Sequence, residues 1–133
     1  MAEAVLAHVG RLFVEQLLAP LRETGPLTAR IRETARRIQA FYDDGRRSCL
    51  LDTLSLRAGS PALHEAVNRT YAAWRDSFAA AAREAGLPAG RARGRAEEAI
   101  MGIHGALVLA RATGDRKPFA RVVARLPDLI TSS

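Results

Sequence analysis

Hydrophobic residues recur along the chain at steps of three and four, and no segment alternates apolar and polar residues as a strand does. The first such segment covers about residues 2–23, where Pro20 is expected to kink the helix because proline has no backbone N–H to donate. Gly25 and Pro26 then separate it from a second helix that ends near Gly45. The pattern predicts an all-α fold.

Further breaks divide the rest of the chain into four helices. A short helix capped by Ser48 is followed by a long one over residues 61–86, which carries the only tryptophan. Residues 87–94 are predicted to form a loose, basic entry into a fifth, apolar helix. The last helix is expected over residues 118–130, with Pro127 loosening its final turn. The sequence thus predicts a single domain of about six helices.

The fifth helix is apolar on two opposite faces. One face of its helical wheel holds Ile100, Ile103, Leu107 and Ala110. The other face is flat and mostly small, and it consists of Gly102, Gly105, Ala106 and Leu109. A helix that is apolar all round must be covered on both sides, and small residues let a second helix come close. Because a short domain has few helices to spare, we expect a second copy of the chain to cover the flat face.

Composition is that of an ordinary globular domain. The chain has 133 residues, of which 48% are hydrophobic and 26% charged, and this length can bury one core without disulfides. No apolar run approaches the roughly twenty residues of a membrane span, and the first residues do not resemble a secretory leader. We therefore expect a cytoplasmic protein with no membrane partner.

The formal charge of +6 raises the question of nucleic-acid binding, since clustered cations release phosphate counterions. The basic residues are nevertheless dispersed, apart from small groups such as Arg91, Arg93 and Arg95. Dispersed charge is typical of solvated helix faces. We expect no direct nucleic-acid binding by this chain.

No set of residues indicates catalysis or a cofactor. The chain has no Gly-rich phosphate loop, no nucleophile elbow and no recognisable acid-base pair. His8, His64 and His104 are not paired with another histidine or a carboxylate at the spacing of helical metal ligands. Cys49, the single cysteine, lies in the first turn of a predicted helix, where a thiol sensor is conceivable although a buried thiol is commoner. We expect neither an enzyme nor a metal site.

Three segments in a fixed order carry a family resemblance. They are FYDDGRRSCLLDTLSL, then TYAAWRDSFAAAAREAGLP, then RAEEAIMGIHGALVLARATGDRKPFARVVARL. Together they resemble the C-terminal domain of TetR-family one-component repressors, in the branch with an LmrA/YxaF-like C-terminal domain. The resemblance covers nearly the whole chain.

This resemblance implies a domain that dimerises and holds an effector among its helices, with residues 1–133 as that unit. The N-terminal helix-turn-helix head of the family is expected to be absent here, because the chain starts with what looks like the connecting helix. The last two helices of each copy would form a four-helix bundle in a homodimer. The interface predicted from the flat face and the resemblance comprises Gly102, Gly105, Ala106, Leu109, Phe119, Val122 and Leu126.

A pocket for a small apolar effector is expected between the helices of such a bundle. The predicted lining is Phe13, Leu17, Phe41, Tyr42, Leu54, Trp74, Phe78, Ile103, His104 and Leu107. The alternative is that these residues simply pack the core, as aromatic residues at helical spacing usually do. Tyr42, Trp74 and His104 are the better candidates as a group, because each brings a polar atom that needs a partner when buried.

The sequence therefore leads to the hypothesis of an effector-binding and dimerisation domain of a TetR-type regulator. The alternative is a headless interaction module that pairs with a full-length regulator and needs only the dimer face.

Overall fold

The structure, a computed structural model, describes residues 2–42, 45 and 61–132. These residues form six α-helices and a 3₁₀ helix over Ala19–Arg22, and none of them belongs to a strand. The α-helices are α1 Ala2–Leu18, α2 Leu27–Phe41, α3 Pro61–Glu84, α4 Ala89–Thr113, α5 Lys117–Ala124 and α6 Leu126–Thr131. The all-α prediction is confirmed. The predicted short helix after Ser48, with Cys49 and Leu54, lies outside the described residues.

Helices α3 and α4 are the longest, and together they form the hairpin on which the other helices pack. α3 ends at Glu84 and is followed by Gly86, whose φ of +104° favours glycine. There the N–H of Gly86 donates to the carbonyl of Arg83, and the N–H of Leu87 donates to that of Ala82. These two bonds form a Schellman motif, which confirms the predicted helix end. Helix α1 packs on α3, α5 and α6 pack on α4, and α2 packs on both α5 and α6.

Helix α4 begins at Ala89, so the prediction of a loose segment over residues 87–94 is wrong from that residue onward. Ala92 and Ala96 are buried against the core. Two glycines in this stretch, Gly90 and Gly94, each cost about 1 kcal/mol of helix propensity. Burial of the alanine face outweighs that cost, and sequence propensity alone does not reveal it.

The first predicted helix is in fact two elements, because α1 ends at Leu18 and Pro20 lies in the 3₁₀ helix that follows. Proline cannot donate to the carbonyl four residues earlier, which belongs to Gln16. That carbonyl accepts a hydrogen bond from Arg37 Nη1 at 2.9 Å instead. The break in α1 thus provides a contact with α2.

The last predicted helix is also divided, since α5 and α6 are separated at Arg125. Pro127 lies in the first turn of α6, where a missing N–H is tolerated, rather than in a loosened final turn. Before α5, Gly114 ends α4 with a φ of +70°, and the backbone N–H of Lys117 donates to Asp115 Oδ1 at 3.0 Å. Thr113, Gly114 and Asp115 thus form the turn between α4 and α5. Among the described helices, none is both long and apolar enough to cross a membrane.

Arg30 connects three elements beneath the turn between α1 and α2. Its side chain is buried, and it donates from Nε to the carbonyl of Gly25 at 3.1 Å and from Nη1 to that of Leu21 at 3.0 Å. Nη2 pairs with the carboxylate of Glu84 at the end of α3. One guanidinium therefore satisfies two turn carbonyls and joins them to the α3–α4 hairpin.

We predict that Arg30→Met lowers the free energy of unfolding by about 2–3 kcal/mol, because hydrogen bonds from a charged donor are lost. The matched control is Arg36→Met, which removes an exposed ion pair with Glu33 and is expected to have a much smaller effect. Urea denaturation of both variants measures the difference. Equal losses would contradict the role assigned to Arg30.

Glu33 provides a test at acidic pH. Hydrogen bonds from Arg36 and then Arg37 lower the pKa of Glu33 from 4.5 to about 2. Because the folded-state pKa is depressed, the stabilisation by Glu33 is complete above the unfolded pKa and disappears as the pH falls towards 2. In a carboxyl NMR titration, Arg36→Gln should raise the pKa of Glu33, whereas the exposed Arg32→Gln should not. An unchanged pKa in Arg36→Gln would contradict this assignment.

Candidate functional site

Most of the predicted pocket residues lie in the core. Seven of them are no more than 9% exposed, namely Leu17, Tyr42, Trp74, Phe78, Ile103, His104 and Leu107. Phe41 is half-buried. Phe13 belongs to α1, but its side chain is outside the described part of the structure, as is the whole of Leu54. Burial alone fits both a pocket lining and a packed core, so the contacts of the rings are informative.

Four rings from α3 and α4 meet in what we call the Trp74 cluster, which consists of Tyr71, Trp74, Phe78 and His104. The centroid of the Trp74 ring lies 5.6 Å from that of Phe78 and 5.9 Å from that of His104, both in edge-on contacts. The ring of Tyr71 lies 5.4 Å from that of His104. Tyr71 was not predicted as a site residue, although its place three residues before Trp74 on the same stripe could have indicated it.

Two other predicted pocket residues, Phe41 and Tyr42, make ring contacts at the C-terminal end of α2. The ring of Phe41 lies 4.8 Å from that of Tyr42, and Tyr42 lies 6.3 Å from the ring of Phe119 on α5. These contacts join the C-terminal end of α2 to α5. Tyr42 and Trp74 nevertheless belong to one continuous buried core, and Phe41 packs against it.

Polar atoms in the core show where hydrogen bonding is incomplete. His104 Nδ1 lies 2.9 Å from the carbonyl of Ile100, and because a carbonyl can only accept, the proton is on Nδ1. Trp74 Nε1 is buried with no hydrogen-bond partner among the described residues, and so is Thr34 Oγ1. A buried donor without an acceptor costs about 1–3 kcal/mol, and native proteins contain few of them.

A groove of about 420 Å³ runs between α3 and α4, next to the Trp74 cluster. Its lining combines apolar, amide and charged side chains, from Asn68, Tyr71, Ala72, Arg75, Glu97, Ile100 and Met101. Tyr71 belongs to both the groove and the cluster. The groove therefore gives the cluster a contact with the surface, and its volume is within the range of small-molecule sites.

The predicted dimer residues divide into buried and exposed groups. Phe119 and Leu126 are fully buried within this chain, and Ala106 is 6% exposed. A Cβ placed on Gly102 would lie 3.3 Å from Val122 Cγ1, so helix α5 of the same chain explains why this residue is small. These side chains pack the domain itself, and only Gly105 and Leu109 of the predicted set are exposed.

An exposed apolar surface nevertheless remains on α4, and we call it the α4 face. It consists of Met101, Gly105, Val108 and Leu109, with Met101 63%, Val108 61% and Leu109 48% exposed. A groove of about 430 Å³ follows the contact between α4 and α5. It is lined by Met101, Gly105 and Leu109 of this face, and charged residues at Glu98, Arg121 and Arg125 also line it. Two of the four residues of the α4 face, Gly105 and Leu109, were predicted from the sequence.

Within the described residues, no three His, Cys, Asp or Glu side chains are grouped so as to hold a metal ion. Of the basic residues considered for nucleic-acid binding, Arg91 and Arg93 are exposed on the first turns of α4, and Arg95 donates to Glu98 at 3.2 Å. Cys49, the candidate thiol sensor, lies outside the described residues.

Comparison with known proteins identifies the family of the chain. The family model described as "Transcriptional regulator LmrA/YxaF-like, C-terminal domain" matches residues 24–125. No curated protein and no solved structure matches the chain. The matched range contains the Trp74 cluster, the groove between α3 and α4 and the α4 face, and the match confirms the resemblance read from the sequence.

The single tryptophan allows the cluster to be tested directly. We predict that Phe78→Ala lowers the free energy of unfolding by about 3–5 kcal/mol and opens a cavity beside Trp74, so that acrylamide quenches its fluorescence more strongly. Phe41→Ala is the matched control, because the half-buried ring of Phe41 packs edge-on against that of Tyr42 and is not one of the four rings of the Trp74 cluster. Its quenching should equal that of the unmodified chain. Equal quenching of Trp74 in the two variants would contradict the contacts described.

Proposed function

Because the chain belongs to the family of LmrA/YxaF-like C-terminal domains of transcriptional regulators, we propose that it is the effector-binding and dimerisation part of a TetR-type regulator and senses a small apolar ligand. The observation that supports dimerisation best is the α4 face. Exposed Met101, Val108 and Leu109 lie on one helix around Gly105, whereas large apolar side chains elsewhere on α4 are at least partly buried. Contiguous exposed apolar surface of this kind is typical of interaction sites.

The occupant we propose for the α4 face is the same face of a second copy. A twofold interface places one patch against itself, so it must be self-complementary. The adjoining groove carries Glu98 together with Arg121 and Arg125. Because both signs of charge flank the apolar residues, opposite charges can meet across the twofold axis at the rim of the interface. Such an arrangement of α4 and α5 from two copies is a four-helix bundle.

The ligand would bind at the Trp74 cluster, where a buried donor lacks an acceptor. Helix α3 carries three of the four rings of the cluster, and α1 packs directly on α3. A ligand that favours one position of α3 would therefore also favour one position of α1. In an intact regulator this shift would change the spacing of the two DNA-binding heads, and a ligand that binds both arrangements equally would have no effect.

Gly105→Arg tests the dimer face without disturbing the domain. A Cβ on Gly105 would meet no atom within 4 Å, and arginine is a better helix former than glycine. In a dimer, however, the variant brings two guanidinium groups together, and like charges across an interface cost several kcal/mol. We predict that the dimer dissociation constant, measured by sedimentation equilibrium, rises at least about tenfold.

The matched control is Ala80→Arg, which adds the same charge at an exposed position of α3. It should leave the dissociation constant unchanged. An equal effect of both variants, or no effect of Gly105→Arg, would exclude the α4 face. The alternative, a module that pairs with a full-length regulator through the same face, needs no pocket, so ligand binding at the Trp74 cluster distinguishes it from the proposed sensor.

A further inference from the structure

The indole N–H of Trp74 defines the chemistry that a ligand must bring. Trp74 is fully buried, and no described residue accepts a hydrogen bond from its Nε1. The indole nitrogen can only donate, so the missing partner has to be an acceptor. A ligand without an acceptor would leave this donor as unsatisfied as it is in the free chain.

The surroundings of Trp74 define the body of the ligand. The rings of Phe78 and His104 make edge-on contacts with the indole, and the ring of Tyr71 contacts that of His104. Leu107 and Ile103, also on α4, are buried in the same core. Flat apolar molecules pack well among aromatic rings and aliphatic side chains.

The α3–α4 groove indicates where the ligand reaches the surface. Tyr71 is the residue shared by the groove and the cluster, and charged or amide side chains occur around it at Asn68, Arg75 and Glu97. A polar rim around an apolar interior is the usual arrangement of a small-molecule site. The interior end of the ligand would then lie near Trp74.

Resting on the proposed effector-binding function, we infer that the effector is a flat apolar molecule with a hydrogen-bond acceptor oxygen, and that Trp74 Nε1–H donates to this oxygen. Trp74 is thus the residue that determines specificity. The three other rings of the cluster contribute apolar contact, which does not depend on the acceptor.

A matched pair of probes separates the hydrogen bond from apolar contact. 1-Indanone and indane have the same fused-ring skeleton, and only the first carries a carbonyl oxygen. The dissociation constants of both are measured by NMR titration of the unmodified chain and of Trp74→Phe, which keeps an aromatic ring but removes the donor. The preference for 1-indanone over indane should fall by about two- to tenfold in Trp74→Phe, as expected for one neutral hydrogen bond.

Phe78→Leu is the control for this comparison. It changes an apolar wall of the cluster and leaves the indole in place, so it should weaken both probes by the same factor. The preference for 1-indanone should then equal that of the unmodified chain. Circular dichroism confirms that each variant keeps its helices.

The hydrogen bond from the Trp74 indole can also be measured directly, by NMR of the unmodified chain. Because the chain has one tryptophan, ¹⁵N labelling gives one indole N–H signal. Saturation with 1-indanone should move its proton downfield, as hydrogen bonding does, and saturation with indane should not.

Two results together would overturn the inference. The preference for 1-indanone over indane would be the same in the unmodified chain and in Trp74→Phe, and 1-indanone would not move the indole proton downfield. The proposed effector pocket would not be affected by this outcome. An indole proton already at the hydrogen-bonded position in the free chain would also overturn it, because a resident water would then be the acceptor. If neither probe perturbs any signal of the cluster, the effector pocket itself fails, and with it the proposed sensing function.

Discussion

The close packing of α4 against three neighbours is the constraint on which the rest of the structure depends. α4 contacts α3 along the hairpin, and it also contacts α5 and α6. Alanines at positions 92, 96 and 99 are no more than 1% exposed, so small side chains occupy the first half of the buried face. Small residues allow helices to approach closely, and larger residues such as Ile103 and Leu107 fill the core in the second half of α4.

This packing places the two proposed sites on neighbouring positions of one helix. His104 belongs to the Trp74 cluster, whereas Gly105, the next residue, lies on the exposed α4 face. A rotation or shift of α4 in response to a ligand would therefore move the proposed dimer face as well. Coupling between ligand binding and dimer geometry needs no long pathway in such an arrangement, because both sites act on the same rigid element.

The sequence predicted the helices well where local chemistry determines them, and the site less completely. Gly86 marks a real helix end because it adopts positive φ, and Pro20 marks a real break, but the 3₁₀ helix that follows was not expected. Small size at Gly102 suggested a partner copy, whereas its close neighbour is Val122 of the same chain. Likewise, only the structure shows that the ring of Tyr42 contacts that of Phe119 on α5. Periodicity reveals which face is apolar, and tertiary packing decides what covers it.

We propose that α4 is covered by its own chain on one side and by a second copy on the other. Light scattering of the unmodified chain over a wide range of concentration measures whether this second copy is present. We expect the mass of a dimer that does not change on dilution through the micromolar range. A mass of one chain at every concentration would contradict it, because the α4 face would then be exposed to water in the native protein.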